Sequence, residues 1–302
     1  MSSTVMPMPR LADFAGVARA PFLVLAFTLV AAGAGAGLYD GAFLWSRTLM
    51  ALLGLVALHI AVNVLNEWSD MRRGIDLHTR RTPFSGGSGT LPAGRMGLRT
   101  ALAFGLLMAG VGLATGIWFA TRVGWAIALF FVLGAVCVLA YSDWLARIGW
   151  GEVAAGLGLG ALPVAGTALV QGGRIGPAAL AAAVPAFFMT FNLLLLNEFP
   201  DQEADRAGGR RNLILVLGRR TAARLYAGAA LAVPAAILAA VAWGALPLLS
   251  AAAALPSLLL AKPLGWALGD TDTEVPVPAL GSNVVWNLST NTLMAVTLAL
   301  AA

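Results

Sequence analysis

The sequence predicts an all-α polytopic membrane protein, a bundle of nine transmembrane helices around a central cavity open to the cytoplasmic side. Of the 302 residues, 59% are hydrophobic and only 11% are charged, and the mean hydropathy is +0.84. These values lie outside the range of soluble globular domains. Apolar runs of the roughly 20 residues that a bilayer-spanning helix requires recur from end to end. Two similar acidic segments each follow such a run.

The apolar runs leave no stretch long enough for a separate soluble domain. We therefore expect one membrane domain over residues 1–302, with loops at about 66–97 and 198–221 that carry the acidic segments. The N-terminal segment lacks the pattern of a cleaved signal peptide, and the single cysteine, Cys137, excludes an internal disulfide. Apolar windows between polar breaks predict spans at 20–38, 43–65, 98–119, 123–141, 152–170, 177–197, 222–243, 245–261 and 277–300.

The distribution of basic residues predicts the orientation. With nine spans the loops alternate between two sides, and the side rich in Lys and Arg faces the cytoplasm. Of the 19 Lys and Arg residues, only Arg47, Arg122 and Arg174 fall on the opposite side. The N-terminus and both acidic segments are therefore expected on the cytoplasmic side of a bacterial or archaeal inner membrane. Because the basic residues lie in membrane loops, the pI near 10.3 does not imply a nucleic-acid partner.

The first acidic segment ends the second span. Asn63, Asn66 and Asp70 are spaced three and then four residues apart, which places them on one helical face. Asp76 follows after Gly74, where the chain can turn. We expect this face to point into the cavity.

The second acidic segment ends the sixth span. Asn197, Asp201 and Asp205 are each four residues apart and form one stripe if the helix persists past Pro200, where we expect a kink. Since both segments end even-numbered spans, they are expected to converge on the same cytoplasm-facing cavity. Convergence is the inference on which the functional prediction depends.

Gathered carboxylates repel one another unless hard cations lie between them, and carboxylates with amide oxygens are what Mg²⁺ prefers. Magnesium is commonly held by a few carboxylates together with substrate phosphates. The sequence therefore predicts a diphosphate bridged between two Asp sites. Arginines beside the segments suit phosphate oxygens: Arg72, Arg73, Arg80, Arg81, Arg206, Arg210 and Arg211.

Structural interpretations stay open for several of these features. Charged residues at a helix end often form only a solvated interface, and Glu67 and Glu198 lie one position off the Asn/Asp stripes. The tract "TPFSGGSGTLP" at 82–92 is either a backbone nest for anionic oxygens or a flexible lid. His59 and His78 are more simply a packed and a surface histidine. Phe188 and other aromatic residues either line the cavity or face lipid and core.

Both acidic segments resemble the two Asp-rich motifs of the UbiA family of intramembrane prenyltransferases. "NVLNEWSDMRRGID" at 63–76 is similar to the N-D-x-x-D-x-x-x-G-x-D form of the branch that makes menaquinone precursors. "NEFPDQEADRAGGRRNL" at 197–213 is similar to the N-x-x-x-D-x-x-x-D-R-x-x-G-[KR] form. "YSDWLARIGWGEVAAGLGLG" from Tyr141 resembles the connection between the fourth and fifth helices. The resemblance covers almost the whole chain.

The resemblance implies a site for an isoprenyl diphosphate held through two Mg²⁺ ions. The implied metal-binding residues are Asn66, Asp70, Asp76, Asn197, Asp201 and Asp205, with Asp70 and Asp201 central to catalysis. The implied diphosphate-binding residues are Arg19, Arg72, Arg73, Arg81, Arg206, Arg210 and Tyr141. Residues expected at the acceptor or prenyl cavity are Asn63, Trp68, Phe188, Asn192 and Asn287, the last belonging to a polar stripe that helix-to-helix hydrogen bonding explains equally well.

The sequence departs from the family pattern at three positions. Glu67 stands where the family often has Asp, Trp68 where the menaquinone branch often has Tyr, and Leu145 where a Tyr-x-x-x-Lys pattern has Lys. Arg147 is a substitute for that lysine. Glu152 is an acidic residue that can orient a helix start.

The predicted reaction is transfer of a prenyl group from its diphosphate to a ring carbon of a small aromatic acceptor, similar to 1,4-dihydroxy-2-naphthoate, with release of pyrophosphate. One alternative is a terpene cyclase on the same scaffold, which needs no acceptor. Another is a transporter with paired acidic repeats, although both segments here lie on one side rather than at the midplane. A membrane alcohol phosphotransferase is excluded because its Asp-Gly-x-x-Ala-Arg signature is absent. The oligomeric state stays open.

Overall fold

The computed structural model describes residues 8–302, which form helices and connecting loops without any strand among them. The predicted cytoplasmic start of the chain, residues 1–7, lies outside the described residues. In chain order the helices are α1 Leu11–Val17, α2 Val24–Tyr39 (entered by a 3₁₀ turn at Ala20–Leu23), α3 Trp45–Arg73, α4 Ile75–His78, α5 Leu98–Val123, α6 Ala126–Leu139, α7 Gly151–Gly156, α8 Leu162–Gly172, α9 Pro177–Glu198, α10 Gln202–Ala207, α11 Leu213–Leu217, α12 Arg219–Ala242, α13 Ala261–Leu268 (entered by a 3₁₀ segment at Leu248–Leu260) and α14 Val277–Leu300.

Seven helical segments within residues 8–302 are long and apolar enough to cross a membrane: Ala20–Tyr39, Trp45–Arg73, Leu98–Val123, Gly151–Gly172, Pro177–Glu198, Arg219–Ala242 and Leu248–Leu268. The other two predicted spans are helical as well. However, α6 has only 14 residues, about 21 Å at 1.5 Å per residue. Helix α14 has 24 residues but is interrupted by Asn, Ser and Thr, which lowers its apolarity.

Helix α9 lies at the centre of the bundle and packs against α2, α7, α8, α12 and α14. Two glycines permit the close approach of the α7–α8 segment. A Cβ at Gly160 would overlap the Ala186 carbonyl of α9, and one at Gly156 would lie 2.8 Å from the Phe187 ring. Small residues at helix contacts are typical of membrane bundles, since backbones must approach closely to pack well there.

A π-helical turn at Leu157–Ala161 joins α7 to α8. Leu159 has non-helical dihedral angles, φ −119° and ψ 29°, and its carbonyl accepts a hydrogen bond from Thr190 Oγ1 at 2.8 Å. Irregular backbone at membrane depth is tolerated where its polar groups are satisfied inside the protein. Such turns occur frequently at functional sites, and this one lines the cavity that residues of both acidic segments also line.

The two acidic segments leave their helices differently. Helix α3 continues eight residues beyond the predicted span end at 65, so it carries Asn66 and Asp70 within it, and ends at Gly74 with φ +77°. Helix α9 ends at Glu198, because Pro200 lacks the N–H that the next turn requires. A turn follows, and Asp201 stands at the N-cap position of the separate helix α10 without a capping hydrogen bond from its side chain. Helices α4 and α10 then contact each other, which brings the two helix ends together.

Candidate active site

One cavity of about 230 Å³ receives residues from both acidic segments. Its wall is polar at the ends of α3 and α9 and mostly apolar farther into the bundle, where His59, Thr190 and Asn287 are the exceptions. The polar and charged residues along the wall are Arg19, His59, Asn63, Asn66, Asp70, Asp76, Thr79, Ser85, Tyr141, Thr190, Asn197, Glu198, Asp201, Asp205, Arg210 and Asn287. The structure therefore brings together all six residues predicted to bind metal.

Asp70 is held by a compact set of polar contacts in the first segment. The Arg210 guanidinium lies 2.6 Å from Asp70 Oδ1 and 2.7 Å from Oδ2, and Asn66 Nδ2 donates to Oδ2 at 2.9 Å. Asn66 Oδ1 accepts from Arg210 at 2.6 Å and from Ser142 Oγ at 2.9 Å. Both charged side chains are buried, 9% exposed for Arg210 and 8% for Asp70.

Arg210 links the two segments. Its other terminal nitrogen lies 3.6 Å from Asp205 Oδ1, and Asp205 Oδ2 accepts from Asn212 Nδ2 at 2.9 Å. Burial lowers the pKa of Arg210, but the carboxylates of Asp70 and Asp205 more than offset this and hold the pKa above its usual value. The guanidinium is therefore a permanent positive charge at the polar end of the cavity.

The carboxylates of the second segment and of α4 are less completely paired. Asp201 Oδ2 accepts from the Gly86 backbone N–H at 3.1 Å, whereas Asp201 Oδ1, Asp76 Oδ2 and Asn197 Oδ1 are buried without a partner among residues 8–302. Burial, with Asp205 nearby, raises the pKa of Asp201 to about 7. Burial, with Asp70 and Glu67 nearby, raises the pKa of Asp76 to about 7. Burial raises the pKa of Asp205 to about 6, against the opposing effect of Arg210.

These residues fit magnesium. Unpartnered carboxylate and amide oxygens facing one space are the donors that Mg²⁺ takes, and this ion keeps several waters rather than needing an all-protein cage. No group of three His, Cys, Asp or Glu side chains close enough to hold a metal ion is found among residues 8–302, so an ion here would need waters and substrate oxygens to complete its coordination. The carboxylates flank a space that substrate oxygens can share.

The tract at 82–92 forms an anchored loop over the polar end of the cavity. Glu67 accepts from Ser88 N and Ser88 Oγ, each at 2.6 Å, and Arg19 donates to the Phe84 carbonyl at 3.0 Å. Gly86 and Gly87 have φ of +82° and +70°, values that glycine adopts at no steric cost. A Cβ at Gly87 would lie 3.2 Å from Asp76 Oδ1. Glu67 and Arg19 thus fix the loop, and its Gly86 N–H donates a hydrogen bond to Asp201 Oδ2.

Several predicted site residues lie outside the cavity lining. Arg72 and Arg73 pair with Asp143, at 3.5 Å and 2.5 Å. Trp68 packs beneath Arg72 and against the cluster of Val17, Val64, Leu91, Met96 and Ala101.

Four other predicted residues lie outside the lining: Arg81 in the loop between α4 and α5, Phe188 and Asn192 on α9, and Arg206 on α10. Arg81 donates to the Asp76 backbone carbonyl at 3.0 Å, and Arg206 is exposed. Phe188 is partly buried and packs against the hydrophobic core, and Asn192 donates to the Tyr226 carbonyl at 3.1 Å between α9 and α12. None of these four residues lines the cavity.

The sequence-based site omitted four residues that the structure places beside it. Ser142 bonds Asn66, and Asp143 holds Arg73, directly after Tyr141 at the end of α6. Glu198 lines the cavity. Glu152 is fully buried and accepts from the Leu213 N–H at 2.6 Å, so it fixes the loop after the second segment rather than its own helix start. The string "YSD" beside a helix end was the available signal for Ser142 and Asp143.

Comparison with known proteins places this geometry among relatives. A model described as the UbiA prenyltransferase family matches residues 23–280. The 1,4-dihydroxy-2-naphthoate octaprenyltransferase of Mycobacterium tuberculosis is 31% identical over 229 residues, 73% of this chain and 75% of that protein. The protein of the same name from Bacillus subtilis is 25% identical over 182 residues, 59% of this chain and 57% of the relative.

Solved structures share the fold. The apo structure of a UbiA homologue from Aeropyrum pernix K1 has a TM-score of 0.67 at 18% identity, covering 90% of this chain and 96% of that one. A UbiA homologue from Archaeoglobus fulgidus bound to GPP and Mg²⁺ has a TM-score of 0.63 at 16% identity, covering 94% and 99%. Since the family model matches most of the chain and the mycobacterial relative is similar over nearly three quarters of both proteins, the chain belongs to the UbiA prenyltransferase family.

Proposed function

We propose that this prenyltransferase transfers an isoprenyl group from a prenyl diphosphate to a ring carbon of an aromatic acceptor in a Mg²⁺-dependent reaction. The allylic C–O bond breaks, a C–C bond to the ring forms, the ring proton leaves, and pyrophosphate is released. The observation that carries this proposal is the convergence of two Asn-x-x-x-Asp segments and Arg210 on one cavity whose far end is apolar. The ligands named for the Archaeoglobus fulgidus homologue agree with it.

Asp70, Asp76, Asp201 and Asp205, with Asn66 and Asn197, are the proposed holders of magnesium, with two ions expected. Bound there, the metal would neutralise charge developing on the leaving diphosphate. Arg210 has a second task. It presently neutralises Asp70 at 2.6 Å, and a diphosphate entering beside that carboxylate would offer stronger bidentate acceptors for the same guanidinium. Arg210 is thus the proposed principal cationic contact, with Arg19 and Tyr141 beside it in the lining.

The apolar part of the cavity has the complementary task of excluding water from the ionising prenyl group. Leu55, Leu58, Val62, Leu193 and Leu194 line it, and they offer no nucleophile to a carbocation. Thr190, the nearby hydroxyl, is committed to the Leu159 carbonyl. This aliphatic stretch therefore excludes water from the prenyl group, although His59, Cys137 and Asn287 also line the cavity.

We further propose that the whole of residues 1–302 forms one domain with nine membrane-crossing segments, the cavity opening and N-terminus on the cytoplasmic side of a prokaryotic inner membrane. The weakest candidate span by apolarity is α14. Its asparagines Asn283, Asn287 and Asn291 are all buried inside the bundle and therefore do not meet lipid. Helix α14 packs along α2 and the 248–260 segment, which supports a full crossing.

The proposed acceptor is similar to 1,4-dihydroxy-2-naphthoate, supported by the names of the mycobacterial and Bacillus relatives. The test incubates the purified protein in liposomes with Mg²⁺, prenyl diphosphates of several lengths and a panel of aromatic acids including 1,4-dihydroxy-2-naphthoate. The expected product is a prenylated naphthoate, identified by mass and absent when EDTA is added. A prenyl hydrocarbon formed without acceptor would instead indicate a terpene cyclase. No consumption of any diphosphate would contradict the proposal.

A further inference from the structure

The mostly apolar part of the cavity contains a histidine to which the proposed reaction gives no task. His59 lies on α3, lines the cavity and is 4% exposed. Its Nδ1 atom is buried and has no hydrogen-bond partner among residues 8–302. Buried polar atoms are nearly always paired in native proteins, because an unpaired one has lost its hydrogen bond to water without a replacement. Packing alone therefore does not account for this side chain.

The other polar side chains in this part of the wall are already hydrogen-bonded to the protein. Thr190 Oγ1 donates to the Leu159 carbonyl at 2.8 Å, and Asn287 Oδ1 accepts from Asn291 Nδ2 at 2.9 Å. His59 Nδ1 differs because the described chain supplies it with no donor. A ligand with a hydroxyl group can supply one, since a neutral imidazole has one acceptor nitrogen and a charged imidazole is costly to bury.

His59 lies on the same face of α3 as two of the proposed metal-binding residues, but farther into the bundle. It precedes Asn66 by seven residues and Asp70 by eleven, spacings that return to one helical face, and all three residues line the cavity. At 1.5 Å per residue it lies about 10 Å from Asn66 and about 16 Å from Asp70 along the helix axis. This depth separates it from the metal-binding carboxylates and places it where an aromatic ring beside the allylic carbon would lie.

The stretch of α3 that carries His59 is held in place. Helix α3 is continuous over Trp45–Arg73, and Asn63, one turn after His59, donates from Nδ2 to the Ala18 carbonyl at 2.9 Å. This bond ties α3 to the segment between α1 and α2. A side chain on such a fixed element orients a ligand more precisely than one on a loop.

We propose that His59 Nδ1 accepts a hydrogen bond from a ring hydroxyl of the aromatic acceptor and so orients the ring carbon that attacks the allylic carbon. The substrate class is then a hydroxylated aromatic compound rather than an aromatic ring without a hydroxyl. The inference rests on the proposed function, because it needs an acceptor that lies beside the donor in this cavity.

The test pairs variants of His59 with acceptors that lack one hydroxyl. His59→Leu removes the nitrogen, and His59→Asn keeps an acceptor oxygen close to the position of Nδ1. His78→Leu is the matched control, since His78 is the other histidine of the chain, is exposed and lies outside the lining. Calorimetry measures the affinities for 1,4-dihydroxy-2-naphthoate, 1-hydroxy-2-naphthoate and 4-hydroxy-2-naphthoate. Mg²⁺ and pyrophosphate are present in place of a donor, so that binding is measured without turnover.

In the unmodified protein, one of the two monohydroxy compounds should bind about tenfold more weakly than the dihydroxy compound, which is the effect of one hydrogen bond. In His59→Leu that difference should disappear, in His59→Asn part of it should remain, and His78→Leu should match the unmodified protein. A histidine that only packs against its neighbours would change the three affinities by the same factor. An undiminished difference in His59→Leu, or equal binding of all three compounds by the unmodified protein, would overturn the inference.

Binding and turnover separate this inference from the proposed function. If the proteins bind the naphthoates as expected but form no prenylated product from a prenyl diphosphate, the proposed function fails while the hydroxyl contact of His59 stands. If product forms and His59→Leu still distinguishes the hydroxyls as the unmodified protein does, the contact fails while the proposed function stands. Should His59→Leu not fold, His59→Phe, which keeps a planar ring without nitrogen, takes its place in the same comparison.

Discussion

The two acidic segments have the same Asn-x-x-x-Asp spacing but present their carboxylates in opposite conditions. Asp70 of the first segment lies within an unbroken helix, and Arg210 and Asn66 occupy both of its oxygens. Asp201 of the second segment follows the break at Pro200, and one of its oxygens is buried without a partner in the described chain. The charge of Asp70 is neutralised by Arg210, whereas Asp201 keeps an oxygen that can bind a cation.

The difference arises from sequence context rather than from the repeated residues. The first helix ends in Arg72 and Arg73, which turn to Asp143, so its carboxylate receives an arginine from the other segment. The second segment supplies Arg210 to its partner and keeps only the Gly86 N–H for Asp201. A repeated motif thus yields an asymmetric pair. We expect cation entry at Asp201 to require less rearrangement than cation entry at Asp70.

The largest effect is expected from removing either carboxylate. Asp70→Ala and Asp201→Ala should each lower Mg²⁺-dependent turnover by on the order of 10²–10³-fold or more, because each removes charge stabilisation from the leaving diphosphate. Their stabilities should differ. Asp70→Ala should be the less stable of the two, because it leaves the buried Arg210 without its main partner, whereas Asp201→Ala removes a carboxylate whose one hydrogen bond comes from the Gly86 N–H. Turnover and thermal melting without Mg²⁺ measure the two effects.

Asp272→Ala is the matched control, since this aspartate is exposed in the loop before α14. It should change neither quantity. Full turnover in Asp70→Ala or Asp201→Ala would remove the two-segment site, and equal melting temperatures for those two variants would contradict the asymmetry.

The second largest effect is expected from removing Arg210, which should leave Asp70 as incompletely paired as Asp201. In Arg210→Met, Asp70 becomes a buried carboxylate without its ion pair, which costs about 3–5 kcal/mol of unfolding free energy. Turnover should fall by roughly 10²-fold. Added Mg²⁺ should recover more stability in this variant than in the unmodified protein, because the cation takes the place of the guanidinium.

Denaturation with and without Mg²⁺ measures the stability of Arg210→Met, and Arg220→Met, at an exposed basic residue, controls for lost charge. If Mg²⁺ stabilises Arg210→Met no more than the unmodified protein, Asp70 is not a cation ligand.

Helical periodicity explains how much of the site the sequence contained. Asn63, Asn66 and Asp70 share a face in the structure because α3 is continuous, as their spacing predicted. Trp68 lies two residues from both Asn66 and Asp70, so the same periodicity of about 3.6 residues per turn puts it on the opposite side. The sequence therefore held the information that excludes Trp68 from the lining.

Other features required the tertiary structure. Arg210 lies 140 residues from Asp70 in the sequence. That Arg210 pairs with Asp70, rather than Arg72 or Arg73, depends on the position of Asp143, which binds those two arginines. The basic residues beside an acidic segment show which arginines could pair with a carboxylate or phosphate, but not which one does. The helix break at Pro200 was expected as a kink, and its full effect, a separate helix α10, depends on the contact with α4.

The smallest effect is a dependence of Mg²⁺ affinity on pH, which should come mainly from the open side of the pair. Folding raises the pKa values of Asp76 and Asp201 from the ordinary 3.8 to about 7. The folded protein therefore binds protons more tightly than the unfolded chain, and without Mg²⁺ its stability should fall as the pH rises from about 4 through 7. Mg²⁺ must displace these protons, so its affinity should rise over the same range and level off above about pH 8.

Between about pH 6 and 8 we expect the Kd for Mg²⁺ to fall by roughly tenfold for each carboxyl that must lose its proton. Calorimetric titration at several pH values measures it. Asp76→Asn removes one titrating group and should flatten the curve, while Asp272→Ala should leave it unchanged. A Kd independent of pH would mean that Mg²⁺ enters beside carboxylates that are already ionised. Asp76 and Asp201, which have unpartnered oxygens, would then not differ from Asp70 in the way that their hydrogen bonds indicate.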